Sequence, residues 1–124
     1  MTDTFRRERI LIGGEWLDAD DGGTFDVTDP ATGETLGTVP DAGTAETRRA
    51  IEAAHAAFAD FRRTGAHERA NLLRRMHELM LEHREPLARL LTAEQGKPLA
   101  EARGEIAIGA RSVRAPTRAS SRAR

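Results

Sequence analysis

Apolar positions along this chain follow two different periods, and the change falls near residue 44. From residue 10 to residue 40 they come in short runs. "ILI" and "WL" flank Gly13-Gly14, and a two-residue Gly-Gly turn supplies the positive φ that a tight hairpin needs. Ile10, Ile12, Trp16 and Leu17 provide its apolar contacts. After the polar run "DADDGG" a second hairpin is predicted. Phe25 and Val27 alternate with polar neighbours on one strand, and Leu36 and Val39 lie on the other. Between them, Asp29-Pro30-Ala31-Thr32-Gly33 has turn chemistry. Asp accepts from the backbone two residues on, Pro fixes φ, and Gly takes the left-handed position.

Beyond Thr44 the spacing becomes helical. Ile51, Ala54, Phe58 and Phe61 make one stripe, with Thr44 as the expected N-cap, Glu46 in the positive first turn and Gly65 as the stop. A second helix gathers Leu72, Leu73, Met76, Leu79 and Met80 on one face, opposite Arg74, Arg75, Glu78 and Glu82. Pro86 would remove a hydrogen bond and clash with the preceding turn of a continuous helix. A break is therefore expected near residues 83–85, with Pro86 in the first turn of a third helix that carries Leu87, Leu90 and Leu91 and stops at Gly96. A fourth begins with Pro98 and turns Leu99, Ala102, Ile106 and Ala110 inward. Two β-hairpins followed by about four helices result, with no βαβ unit.

Composition adds a seam. The 124 residues carry a formal net charge of −1, but the last 14 hold five Arg and no acid. The preceding 110 residues therefore carry 14 basic and 20 acidic side chains. Residues 111–124 are expected to be a basic, disordered tail, and residues 1–9 a flexible N-terminus. The tail lacks an aromatic residue for base stacking, so no nucleic-acid partner is expected. No segment has the apolar length of a signal peptide or a membrane span, which makes cytoplasmic the default expectation.

Candidate chemistry is sparse. The chain has no cysteine, which excludes thiolate catalysis, disulfides and Cys-based metal sites within it. "DADDGGTFDVTD" resembles a calcium loop through Asp18, Asp20, Gly23 and Asp29. Gly22 stands where an oxygen ligand is needed, and Asp29 where a bidentate Glu is needed. A solvated connector is the better reading. His55, His67, His77 and His83 show no i, i+4 pair. The glycines form neither a dinucleotide fingerprint nor a phosphate loop. Ser112, Ser120 and Ser121 all lie in the tail, so the body can hold no serine triad. Glu94, Glu101 and Glu105 are acids on ordinary helix faces. From the residues alone, no catalytic, cofactor-binding or metal site is assigned.

Four stretches nevertheless carry a resemblance: "LIGGEW", "TFDVTDPATGETLGTVPDAG", "RRAIEAAHAAF" and "LLTAEQGKPLAEARGEI". In order and spacing they resemble the N-terminal region of the aldehyde dehydrogenase superfamily, most closely the NAD(P)-dependent succinate-semialdehyde dehydrogenases. The likeness covers about residues 10–110. It implies an α/β fold in which this segment opens the cofactor-binding domain and wraps the Rossmann-type sheet without containing it. It further implies oxidation of an aldehyde to the acid by a cysteine nucleophile, hydride transfer to NAD or NADP, and a glutamate-activated water. None of those residues has a counterpart here. The expectation is thus an inactive N-terminal fragment that binds no nucleotide, from a family that forms homo-oligomers. The superfamily also implies an alkali-metal site, for which the nearest matches are Val27, Thr28 and Glu105. Lys97, in "EQGKP", is expected to reach back to the last carbonyls of the third helix. The residues after Ala110 depart from the resemblance and read as out-of-frame sequence. Two alternatives stand beside this reading: a fragment of another aldehyde dehydrogenase, such as the betaine aldehyde type, and a non-enzymatic helical module with a basic tail.

Overall fold

The computed structural model describes residues 5–114. The backbone divides between Arg63 and Thr64 into two compact units, each of which is described by itself.

The first unit holds both hairpins and one helix. Strands β1 (Ile10–Ile12) and β2 (Glu15–Leu17) pair antiparallel, with Leu11 opposite Trp16. Gly13 and Gly14 turn between them at φ of 62° and 92°, a conformation that L side chains rarely adopt. The Arg7 guanidinium stands 5.8 Å from the centre of the Trp16 ring. Strands β3 (Thr24–Thr28) and β4 (Thr35–Pro40) pair with Phe25 opposite Val39 and Val27 opposite Gly37. The next pair is Thr28 with Thr35, so Leu36 is an extra residue in β4 and the ladder bulges there. The turn follows its sequence chemistry. Asp29 Oδ1 accepts from the Ala31 amide at 2.8 Å, and Gly33 sits at φ 76°.

Helix α1 (Thr44–Phe61) starts one residue earlier than expected. Gly43, not Thr44, is its N-cap. A glycine cannot cap with a side chain, and Glu46 at the third helical position instead bends back to accept from the Gly43 amide at 3.1 Å. The helix ends at Phe61 with Arg62 as its C-cap, so Gly65 does not stop it.

The second unit is helical. Gly65 is the N-cap of α2 (Ala66–Glu82), and His83 is the single residue between α2 and α3 (Arg84–Gln95). Pro86 takes the third position of α3, where the missing N–H has no intrahelical partner to lose. Gly96 closes α3 at φ 71°, its amide bonded to the Thr92 carbonyl at 2.8 Å. Pro98 caps α4 (Leu99–Arg114), its carbonyl accepting from the Ala102 amide. The boundary expected after Ala110 falls inside this helix. Ala and Arg are strong helix formers, Ser112 Oγ bonds the Ile108 carbonyl at 3.1 Å, and Val113 is half-buried, so the helix runs four residues past the expected seam. The rest of the expected disordered tail, and the first four residues, lie outside the described residues.

Helix α4 packs against both α2 and α3. Small residues set its approach. Ala88, Ala102 and Ala110 are fully buried, and a Cβ on Gly109 would stand 3.3 Å from Met80 Cε. Larger side chains are not enclosed. Among the described residues no large side chain is fully buried, and the apolar stripe of α1 faces outward, with Ile51 64% and Phe58 59% exposed. Of the predicted apolar face of α2, Leu72, Leu73 and Met76 are exposed as well, while Leu79 and Met80 are half-buried. Amphipathic patterning put these side chains on one face of each helix, but nothing within the described residues covers the exposed ones.

Candidate functional site

Four carboxylates of the calcium-like loop point to different partners. Asp18 pairs with Arg9 at 3.2 Å, and Asp29 caps its own turn. Asp20 accepts two hydrogen bonds from Arg49, at 2.6 and 2.7 Å, and this fork holds its carboxyl below the usual range. Asp21 accepts from the Gly23 amide at 2.8 Å. The segment is a connector whose acids tie it to its surroundings.

The histidines stand apart along the helices. His55 and His67 are exposed, and His83 is the half-buried link between α2 and α3. His77 is half-buried, with Nδ1 2.8 Å from the Ala110 carbonyl, joining α2 to α4. The carbonyl can only accept, so Nδ1 carries the proton. Among the described residues no three His, Asp or Glu side chains converge on a point that could hold a metal ion. Of the three residues matched to an alkali-metal site, Val27 and Thr28 belong to the first unit and Glu105 to the second.

Lys97 does not reach back to the end of α3. Its ammonium bonds Glu105 on α4, eight residues on. The reason is geometric: Gly96 in the left-handed conformation reverses the chain, so Lys97 extends along the helix that follows. Glu94 and Glu101 are exposed.

Two clusters were not anticipated from the sequence. On α3 and α4, Arg103 donates to both oxygens of Glu85 at 2.8 and 2.9 Å, Arg89 adds an ion pair at 2.9 Å, and Arg84 bonds the Arg103 carbonyl. The Arg103 bonds, with help from Arg89, hold the Glu85 carboxyl at about 2. The second cluster centres on Glu46, 5% exposed, which accepts from the amides of Asp20 at 2.9 Å and Gly43 at 3.1 Å. Those backbone donors hold its carboxyl below the usual range. A Gly-x-x-Glu spacing before an apolar stripe was the signal available for Glu46. Nothing in the spacing of Glu85 and Arg103 announces their pairing, which depends on the angle between two helices.

The geometry therefore offers clamps between elements. The Aldehyde dehydrogenase family pattern matches residues 16–124. The chain belongs to the aldehyde dehydrogenase family. It is 62% identical over 104 residues to the glutarate-semialdehyde dehydrogenase of Pseudomonas putida, a match covering 84% of this chain and 22% of that protein. It is 56% identical over 104 residues to the succinate-semialdehyde dehydrogenase [NADP(+)] of Escherichia coli K12, with the same coverage. The crystal structure of succinate-semialdehyde dehydrogenase from Burkholderia pseudomallei superposes with a TM-score of 0.81 at 60% identity, over 84% of this chain and 22% of that one. The chain thus spans about a fifth of the length of the relatives it matches. Its hairpins and helices are the aldehyde dehydrogenase arrangement over that span. No helix among the described residues is long and apolar enough to cross a membrane.

Proposed function

We propose that this chain is the opening segment of the cofactor-binding domain of an NAD(P)-dependent semialdehyde dehydrogenase, and that its role there is structural. The whole enzyme would oxidise succinate semialdehyde, or its one-carbon-longer homologue glutarate semialdehyde, to the dicarboxylic acid. The observation that carries this reading is the 62% and 56% identity to two semialdehyde dehydrogenases, each over 104 residues. The nucleophilic sulfur of the family's chemistry has to come from outside these 124 residues, which contain no cysteine. No residue here is assigned to the aldehyde or to the nucleotide.

The exposed apolar faces support the same reading. Ile51, Phe58 and Phe61 on α1, and Leu72, Leu73 and Met76 on α2, are the side chains an enzyme would bury against its remaining domains. Glu85–Arg103, His77–Ala110 and Lys97–Glu105 fix the helices that present the α2 face.

Calorimetric titration of NAD and NADP onto the 124-residue chain tests the assignment, together with absorbance at 340 nm in the presence of succinate semialdehyde. The expected result is no heat of binding and no reduced nucleotide. An apolar dye should light up strongly on the exposed faces. Saturable nucleotide binding, or turnover, would show that the chain carries its own active site and would overturn the structural role.

A further inference from the structure

Glu46 is the one acid buried among the described residues. Its two oxygens serve two different places in the first unit. Oε2 accepts from the Gly43 amide at the start of α1, and Oε1 accepts from the Asp20 amide, 26 residues earlier in the chain. Asp20 is held a second time, because its carboxylate takes both bonds of the Arg49 fork from the next turn of α1. One residue, Asp20, is thus gripped through its backbone by Glu46 and through its side chain by Arg49. The flanking geometry suits a fixed connector. Ala19 is 6% exposed, and its carbonyl accepts from the Gly22 amide at 2.9 Å.

We propose that Glu46 and Arg49 form a two-bolt latch that locks the connector between the hairpins, residues 18–23, onto the N-terminal turns of α1. The connector joins β2 to β3, so the latch sets where both hairpins leave the helix. Chain connectivity alone does not fix this. Residues 18–23 contain two glycines and three acids, a composition that leaves a loop free to sample many conformations. Each bolt is a charge-assisted bond, stronger than a neutral one, and the first is sheltered from water. The acid has to be ionised for the latch to work. A carboxylate can accept from two amides, whereas a carboxamide of the same shape has one acceptor and turns a donor toward the other amide.

Glu46→Gln therefore separates the latch from simple packing, since it preserves volume and removes one acceptor. Amide hydrogen exchange of the full chain is the readout. The protection of either the Asp20 or the Gly43 amide should fall at least about tenfold, the loss expected for one hydrogen bond to a charged acceptor. The Ile106 amide in α4, in the other unit, should keep its wild-type rate. Arg49→Met removes the second bolt alone. It should leave the Gly43 amide protected and raise the rate of proteolytic cleavage within residues 18–23. Unchanged protection of both amides in Glu46→Gln would overturn the proposal. So would an equal loss across β3 and β4, which would make Glu46 a determinant of the whole unit instead of a local latch. An Arg49→Met chain cut no faster than wild type would remove the second bolt from the account.

Discussion

Two glycines in the second unit should respond oppositely to the same added methyl group. Gly104 lies inside α4, and a Cβ built there meets no heavy atom within 4 Å. Alanine is favoured over glycine in a helix interior by about 0.8–1.0 kcal/mol, chiefly through the backbone entropy glycine loses. With no steric term to subtract, Gly104→Ala should shift the local helix equilibrium by about fourfold to fivefold. Gly96 is the contrast. Its surroundings matter less than its backbone, which sits at φ 71° at the C-cap of α3. Left-handed geometry costs an L-residue about 1–2 kcal/mol, so Gly96→Ala should weaken the stop between α3 and α4. Thermal melts of the two variants followed by circular dichroism at 222 nm, against wild type, read both signs. Local propensity acts whether or not the chain melts cooperatively. The reasoning fails if Gly104→Ala lowers helicity, or if Gly96→Ala raises it by a similar amount.

Other consequences are equally direct. Ala102→Leu forces a larger side chain into a site with no exposed surface and should destabilise the packing around α4 by about 1–3 kcal/mol, read as a lower urea midpoint. The clasp at Glu85 sets a pH dependence. Its carboxyl is lowered from 4.5 to about 2 in the fold, so the clasp contributes fully above pH 4.5 and loses its contribution as pH falls from there through about 2. A carboxyl titration by NMR should place Glu85 near that value and return it toward the ordinary range in Arg103→Gln; an unchanged midpoint would exclude Arg103 as the cause. Ile51→Lys with Phe58→Gln replaces two outward side chains, so it should leave the helicity of the 124-residue chain unchanged while reducing dye binding. A large loss of helicity would mean those side chains are buried after all.

Much of this arrangement was legible in the sequence because it is local. Gly13-Gly14, "DPATG", Pro86, Gly96 and Pro98 each dictate a backbone geometry that few other residues tolerate, and each turn or helix end falls at or beside its signal. The misplacements have physical causes. Thr44 was the better side-chain cap, but Glu46 closes the helix from inside and leaves Gly43 as the cap. Gly65 read as a stop and serves as a start, because a glycine between two helical patterns is compatible with either role. The abrupt loss of acids after Ala110 suggested a seam, yet alanine and arginine continue a helix as well as any residues do. Non-local pairs were not legible. Asp20 with Arg49, Lys97 with Glu105 and Glu85 with Arg103 depend on how elements cross, which no periodicity encodes. The resemblance pointed to the family through motifs that shape turns and helix ends, and the 124 residues contain no cysteine.

The central claim is that these residues build and present a surface to the rest of an aldehyde dehydrogenase. A transplant tests it most directly. The matched 104 residues of the Escherichia coli succinate-semialdehyde dehydrogenase would be replaced by the corresponding residues of this chain, and the chimaera assayed for NADP reduction with succinate semialdehyde. The account predicts a folded chimaera with kcat within about tenfold of the parent enzyme, since no catalytic group is exchanged. A chimaera that folds to the parent's quaternary state but does not turn over would contradict it, because the segment would then contain a residue that the chemistry needs.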